Sequence, residues 1–114
     1  MAFTAKKLID SQQLTDSVAT YYPCPVNTTA QAGELVLCNH HTAAVGVDLY
    51  LVPSGGSPTA ANQLFKNGSN GLILAPNETR QIALNQVLTA GDTIRGLASV
   101  TAVVTIRLSG VEFV

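Results

Sequence analysis

Val45-Gly-Val-Asp-Leu-Tyr-Leu-Val-Pro53 decides the fold. Val45, Val47, Leu49 and Leu51 recur at every second position, with Gly46, Asp48, Tyr50 and Val52 between them. Side chains alternate across a strand with a period of two, so this stretch buries one face against a core. Pro53 lacks a donor for a further ladder bond, and Ser54-Gly55-Gly56-Ser57-Pro58 makes a loop.

Outward from this strand the same signals repeat. Val18 to Tyr22 is β-branched and aromatic and stops at Pro23-Cys24-Pro25, where two prolines in three residues oppose ladder pairing. Glu34 to Cys38 and Leu72 to Leu74 are short apolar strands. Thr79 to Leu84 places Arg80, Ile82 and Leu84 on one side. Gly91-Asp92 turns the chain into Thr93 to Ala98, with the Asp92 carboxylate expected to bond nearby backbone N–H groups. Ala102 to Leu108 is a strong strand, Gly110 is expected to mark a bulge, and Val111 to Val114 continues it. No window sustains helical spacing, and Pro58 to Phe65 offers one or two turns at most. Seven to eight strands at this spacing predict an all-β protein: a single antiparallel β-sandwich, jelly-roll or Ig-like. Residues 1–13 are expected to form an extended N-terminal arm. Thr4 to Ile9 suits a strand, but Asp10 to Gln13 is polar and points to docking away from the chain's own core. Residues 14–114 then form the sandwich domain.

The 114 residues suffice for one domain. Apolar residues make up 46% and charged residues only 11%, against roughly 25% in average domains. Thr, Ser, Asn and Gln, thirty-two residues in all, take the place of the missing charge. Hydrophobicity this high with a net charge of −1 excludes a disordered chain and a basic nucleic-acid binder. Apolar runs reach about seven residues, short of the roughly 18 a membrane helix needs. No apolar stretch of signal-peptide kind follows Lys6 and Lys7. A surface with so little charge favours association.

Few residues suggest chemistry. His40 and His41 are adjacent, so on a strand they face opposite ways and suit one metal ion poorly. They fit a polar hairpin connection between Cys38 and Ala43. Cys38 with His40 or His41 is the one local pairing of a nucleophile with a base, and no Gly-x-Ser-x-Gly elbow occurs. The expectation is a protein that is not an enzyme, with no metal and no cofactor. Cys24 and Cys38 leave one disulfide or two free thiols open; a bridge needs Cα atoms within about 7 Å.

Several stretches together resemble a family of small β-sandwich virion proteins encoded by tailed bacteriophages. They are Val45 to Ser57, Leu74 to Thr79, Leu88 to Arg95 and Ile106 to Glu112, with Tyr21-Tyr22-Pro23 and Leu37-Cys38-Asn39 before them. The resemblance covers residues 14 to 114 and departs at Pro23-Cys24-Pro25. It implies a structural subunit with no catalytic residues, assembled in the host cytoplasm and located in the virion. The reading it favours is a capsid decoration or cement protein, a homo-oligomer bound to the major capsid protein or other virion subunits. Lys6, Lys7, Tyr21, Tyr22, Pro23 and Pro25 are then candidate interface residues. The alternative is a tail-tip, baseplate or fibre module that binds a receptor or glycan through Tyr21, Tyr22, Tyr50 and the Ser54–Ser57 loop.

Overall fold

The computed structural model describes residues 3–68 and 71–114. Nine strands form: β1 (Phe3–Gln13), β2 (Ala19–Pro23), β3 (Thr29–Asn39), β4 (Val45–Val52), β5 (Gln63–Phe65), β6 (Ile73–Leu74), β7 (Thr79–Leu88), β8 (Thr93–Ala98) and β9 (Val104–Phe113). Sheet A has the order β1-β9-β3-β7 and sheet B the order β2-β8-β4-β5, with β6 also on β4. All the pairings are antiparallel. Successive strands cross from sheet to sheet except after β4, which makes the sandwich a jelly roll. One of its eight strands, the one that follows β4, is interrupted and forms as β5 and β6. β5 pairs Leu49 and Tyr50, β6 pairs Val45 and Gly46, and neither run is long enough to show a period. The helical turn expected before Phe65 is a single 3-10 turn, Ala60–Asn62.

The decisive alternation is observed from Val45 to Tyr50 and fails after it, where Leu51 is only partly covered and Val52 is fully buried. Val45, Val47 and Leu49 are fully buried, while Asp48 and Tyr50 are only partly covered on the other face. Between the sheets they meet Leu35, Leu37, Ile94, Ile106 and Leu108, all at most 1% exposed. Pro23 does pair, opposite Thr93, but it is the last residue of an edge strand, the position where a missing N–H costs least.

The stretch expected as an arm is, in its described part, the edge strand β1, and it docks on its own core. Two register irregularities separate Lys7, Ile9 and Gln12 along β9. The first gives β1 one residue more than its partner, so consecutive Leu8 and Ile9 both turn inward and are buried. A period of two cannot register such a pair. Bulges also twist an edge away from further pairing, a device against edge-to-edge aggregation.

Gly110 is not itself the bulge. β9 runs regularly through it, and the extra residues lie on β1 at Leu8 and on β3 between Ala32 and Leu35. Gly110 is required because these bulged neighbours crowd it. A Cβ there would overlap the Gln31 carbonyl oxygen and come 2.7 Å from Leu8 Cδ1.

Asn39 ends β3 and starts the passage to the other sheet. The His40-His41 segment is therefore a crossover between sheets, not a hairpin. Asn39 is fully buried; its Nδ2 donates to the carbonyls of Ala43, Leu74 and Ala75 at 3.0–3.2 Å, and its Oδ1 accepts the His41 N–H at 2.9 Å. One side chain thus pins the crossover to the turn before β7. Asn39→Ala removes all four of these bonds at a fully buried position, although the Ala75 carbonyl keeps a second donor, the Glu78 N–H. We expect a loss of about 2–4 kcal/mol, measured by urea unfolding, with an unchanged m-value.

Candidate assembly surface

Polar side chains of the sandwich are directed first at its own architecture. Tyr22, 4% exposed on β2, donates its phenol O–H to Glu112 Oε2 at 2.5 Å. Glu112 lies on β9, so the bond joins the two sheets. Lys6 Nζ on β1 reaches Glu112 Oε1 at 3.1 Å. Both carboxylate oxygens are therefore bonded, as a buried charge requires. The Tyr22 hydrogen bond holds the Glu112 carboxyl below its ordinary value; burial opposes this, and Lys6 adds to it. Burial first, and then Glu112, push the Tyr22 phenol up, which keeps it protonated as a donor.

Glu112 pointing inward forces its neighbours outward, because adjacent strand residues face opposite ways. Val111 and Phe113 therefore lie on the outer face of sheet A. Phe3 stands opposite Phe113 with ring centroids 6.0 Å apart, at an interplanar angle of 41°. Ala5 stands opposite Val111, Val111 opposite Gln31, and Gln31 opposite Val87. Phe3 is 71% and Val87 60% exposed. The result is an apolar cluster at one end of a four-stranded face, exposed at Phe3 and Val87 and half-buried at Val111 and Phe113, with no charge in either row. Val26, in the turn before β3, and Val114 are exposed at the same end. Contiguous apolar surface of this kind marks interaction sites.

The residues expected at an interface divide. Lys7 is exposed on this outer face, 3.5 Å from Asp10, and Pro23 and Pro25 are exposed. Lys6 is engaged by Glu112. Tyr22 is interior and cannot meet a partner. Tyr21 accepts the Thr15 N–H at 3.1 Å on its phenol oxygen. Tyr50 lies on the outer face of sheet B opposite Arg95. The three tyrosines therefore form no common stacking platform. Ser54, in the loop proposed with them, gives its N–H to Asp92 Oδ1 at 3.0 Å, and Asp92 Oδ2 accepts from the Thr89 N–H and hydroxyl. That turn chemistry is the one expected of Asp92.

Cys24 and Cys38 are both free thiols. Cys24 Sγ lies beside the Thr28 and Leu88 carbonyls, whereas Cys38 stands opposite Thr79 at the far end of the β3–β7 pair. Eight residues of β3, about 26 Å, separate the two ends, so the bridge left open by the sequence does not form. Nor can both thiols join one site with the histidines: His40 Nε2 is 3.0 Å from Thr105 Oγ1. Among the described residues no group of three or more His, Cys, Asp and Glu could hold a metal ion.

The jelly roll is shared with solved structures. A chain of the disulfide-linked pili that form Bacillus endospore appendages is similar over 97% of this chain and 87% of its own, with a TM-score of 0.58 at 12% identity. A chain of T=1 particles derived from infectious bursal virus matches 97% of this chain with a TM-score of 0.52 at 17% identity. The Gx strain of infectious bursal disease virus gives 0.51 at 15% identity over the same share. This chain spans 31% of the length of either virus chain. At these identities the likeness defines a fold: a two-sheet β-sandwich found in pilus and virus-particle subunits. No protein-family model and no curated protein matches the sequence.

Two predictions follow from this geometry. Stability from Glu112 is present above the ordinary carboxylate pKa and is lost as pH falls through its lowered native value. Glu112→Gln should cost about 2 kcal/mol at neutral pH and flatten the decline of urea-unfolding stability between roughly pH 5 and 3. Burial pushes the Cys24 thiol up and Cys38 is only partly covered, so a disulfide reagent should titrate one thiol in the native protein and two after denaturation. Peptide mapping should place the fast thiol at Cys38.

Proposed function

We propose that the protein is a non-enzymatic structural subunit of a virus particle, and more finely a decoration or cement protein on the capsid of a tailed bacteriophage. The observation that carries this reading is the apolar end of sheet A, exposed at Phe3 and Val87 and half-buried at Val111 and Phe113. Its rows contain no charge, and the one buried carboxylate behind it is fully bonded within the chain. Such a face serves contact between subunits. The fold, shared with pilus and virus-particle chains, and the low charge of the whole sequence support the same reading. The resemblance of Val45 to Ser57 and the accompanying stretches to tailed-phage virion proteins supports the finer reading.

In this proposal the turn carrying Pro23 and Pro25 meets the shell. Lys7 is directed at a carboxylate of a neighbouring subunit, and Phe3–Gln13 acts as the contact-bearing strand of the sandwich. A subunit that binds only the assembled shell stabilises it by mass action, by RT ln(1 + [L]/Kd).

Purified protein mixed with undecorated capsids should co-sediment with them and raise their heat resistance. Immunogold should label heads. Label confined to tails would move the protein to a tail-tip, baseplate or fibre module. Absence of binding, with normal heat resistance of particles lacking the protein, would end the cement reading.

A further inference from the structure

We propose that the outer face of sheet A pairs with the same face of a second copy of this chain, about a two-fold axis lying along β9. The inference rests on the reading of the chain as an assembly subunit and names the partner of its apolar face.

The first support is charge self-complementarity. Lys7 on β1 stands opposite Ser109 of β9, and Glu34 on β3 lies in the irregularity beside that residue. Lys7 and Glu34 thus flank β9 at one level on opposite sides, two strand spacings apart. A two-fold rotation about β9 carries β1 of one copy over β3 of the other. Each Lys7 then faces the Glu34 of the other copy, and symmetry repeats the pair. Among the described residues Glu34 has no ion-pair partner in its own chain, and Lys7 holds only exposed Asp10. Such a surface pair is weak and is readily exchanged.

The second support is the content of the rows nearest the axis. Phe113 and Val111 of the two copies meet across it, flanked by Phe3 and Ala5 from one side and Thr29 and Gln31 from the other. No like charges oppose each other in these rows. Aligned sheets pack with their strands crossing at about 30°. With the pivot at Val111, that angle swings the two Arg107 side chains, four residues along β9, off the axis and apart.

The third support is area. Four strands about 4.8 Å apart, each about ten residues long at about 3.3 Å per residue, present roughly 600 Å² per copy. Full overlap would bury about 1,200 Å² in a pair, the lower bound of specific stable interfaces, and the crossing makes the contact smaller and the dimer correspondingly weak. The bulged edges β1 and β7 oppose the competing mode, edge-to-edge sheet extension.

Sedimentation equilibrium tests the proposal. The full chain should associate to twice 11.9 kDa, with the dimer weakened by added salt. Phe3→Asp and Val111→Lys, both on the outer face, should leave a folded monomer by circular dichroism. Lys7→Glu should weaken the dimer about tenfold or more, and the double change Lys7→Glu with Glu34→Lys should restore it. A chain monomeric up to its solubility limit overturns the proposal, as do a closed trimer or larger ring and a dimer insensitive to all these changes. A wild-type monomer that still co-sediments with capsids would end the dimer while leaving the assembly reading standing.

Discussion

A single buried carboxylate organises one end of this molecule. Glu112 sits between the sheets of a jelly roll, where an ionised group survives only when both its oxygens are bonded. Tyr22 from sheet B and Lys6 from the edge of sheet A supply those bonds. The arrangement ties the first two strands, β1 and β2, to the last, β9, across 106 and 90 residues of chain. It also fixes register. With Glu112 inward, Val111 and Phe113 must face water, because a slip of one residue would bury Phe113 and expose the carboxylate. The apolar surface is thus the geometric counterpart of a polar interior contact.

The same logic explains how few charges the fold tolerates. Arg80 pairs with Glu78, Asp92 closes the turn before β8, and Asp48 accepts from Gln63 and the Asn67 N–H. Each organises a turn or crossover rather than a cleft. Asn39 does this work without charge at the β3–β4 corner. What remains on the outer face of sheet A is neutral or apolar at one end and sparsely charged beyond it. That distribution suits a subunit that lies against others of its kind or against a shell.

Much of the fold is legible in the sequence where strands are regular. β4 emerges from alternation up to Tyr50 and from its bounding Pro53, and β8 from the Gly91-Asp92 turn before it. β1 does not, because its bulge turns Leu8 and Ile9 to the same side and breaks the period. β5 and β6 are too short to carry a pattern, β3 extends back through the small and polar Thr29–Gly33, and β7 extends past a register irregularity and the positive-φ Asn85. The candidate surface is harder to see. The parity of Val104, Ile106 and Leu108, carried along β9, puts Glu112 inward and Val111 and Phe113 outward against their polarity, and only the Tyr22 contact, ninety residues away, accounts for it. Tyr22, taken from the sequence as a contact residue, belongs to the interior for the same reason. Asn39 is likewise silent in sequence, since its partners at Leu74 and Ala75 are brought to it by topology alone.

The central claim is that Glu112, held inward, presents an apolar face made for a second copy. Chemical shifts of the assigned protein followed from dilute to concentrated solution address it most directly. The account predicts concentration-dependent shifts confined to outer-face residues of sheet A, Phe3, Ala5, Gln31, Val87, Val111 and Phe113, with Tyr50 and Arg95 on the outer face of sheet B unmoved. Shifts centred on sheet B, or none over the whole range, would contradict it.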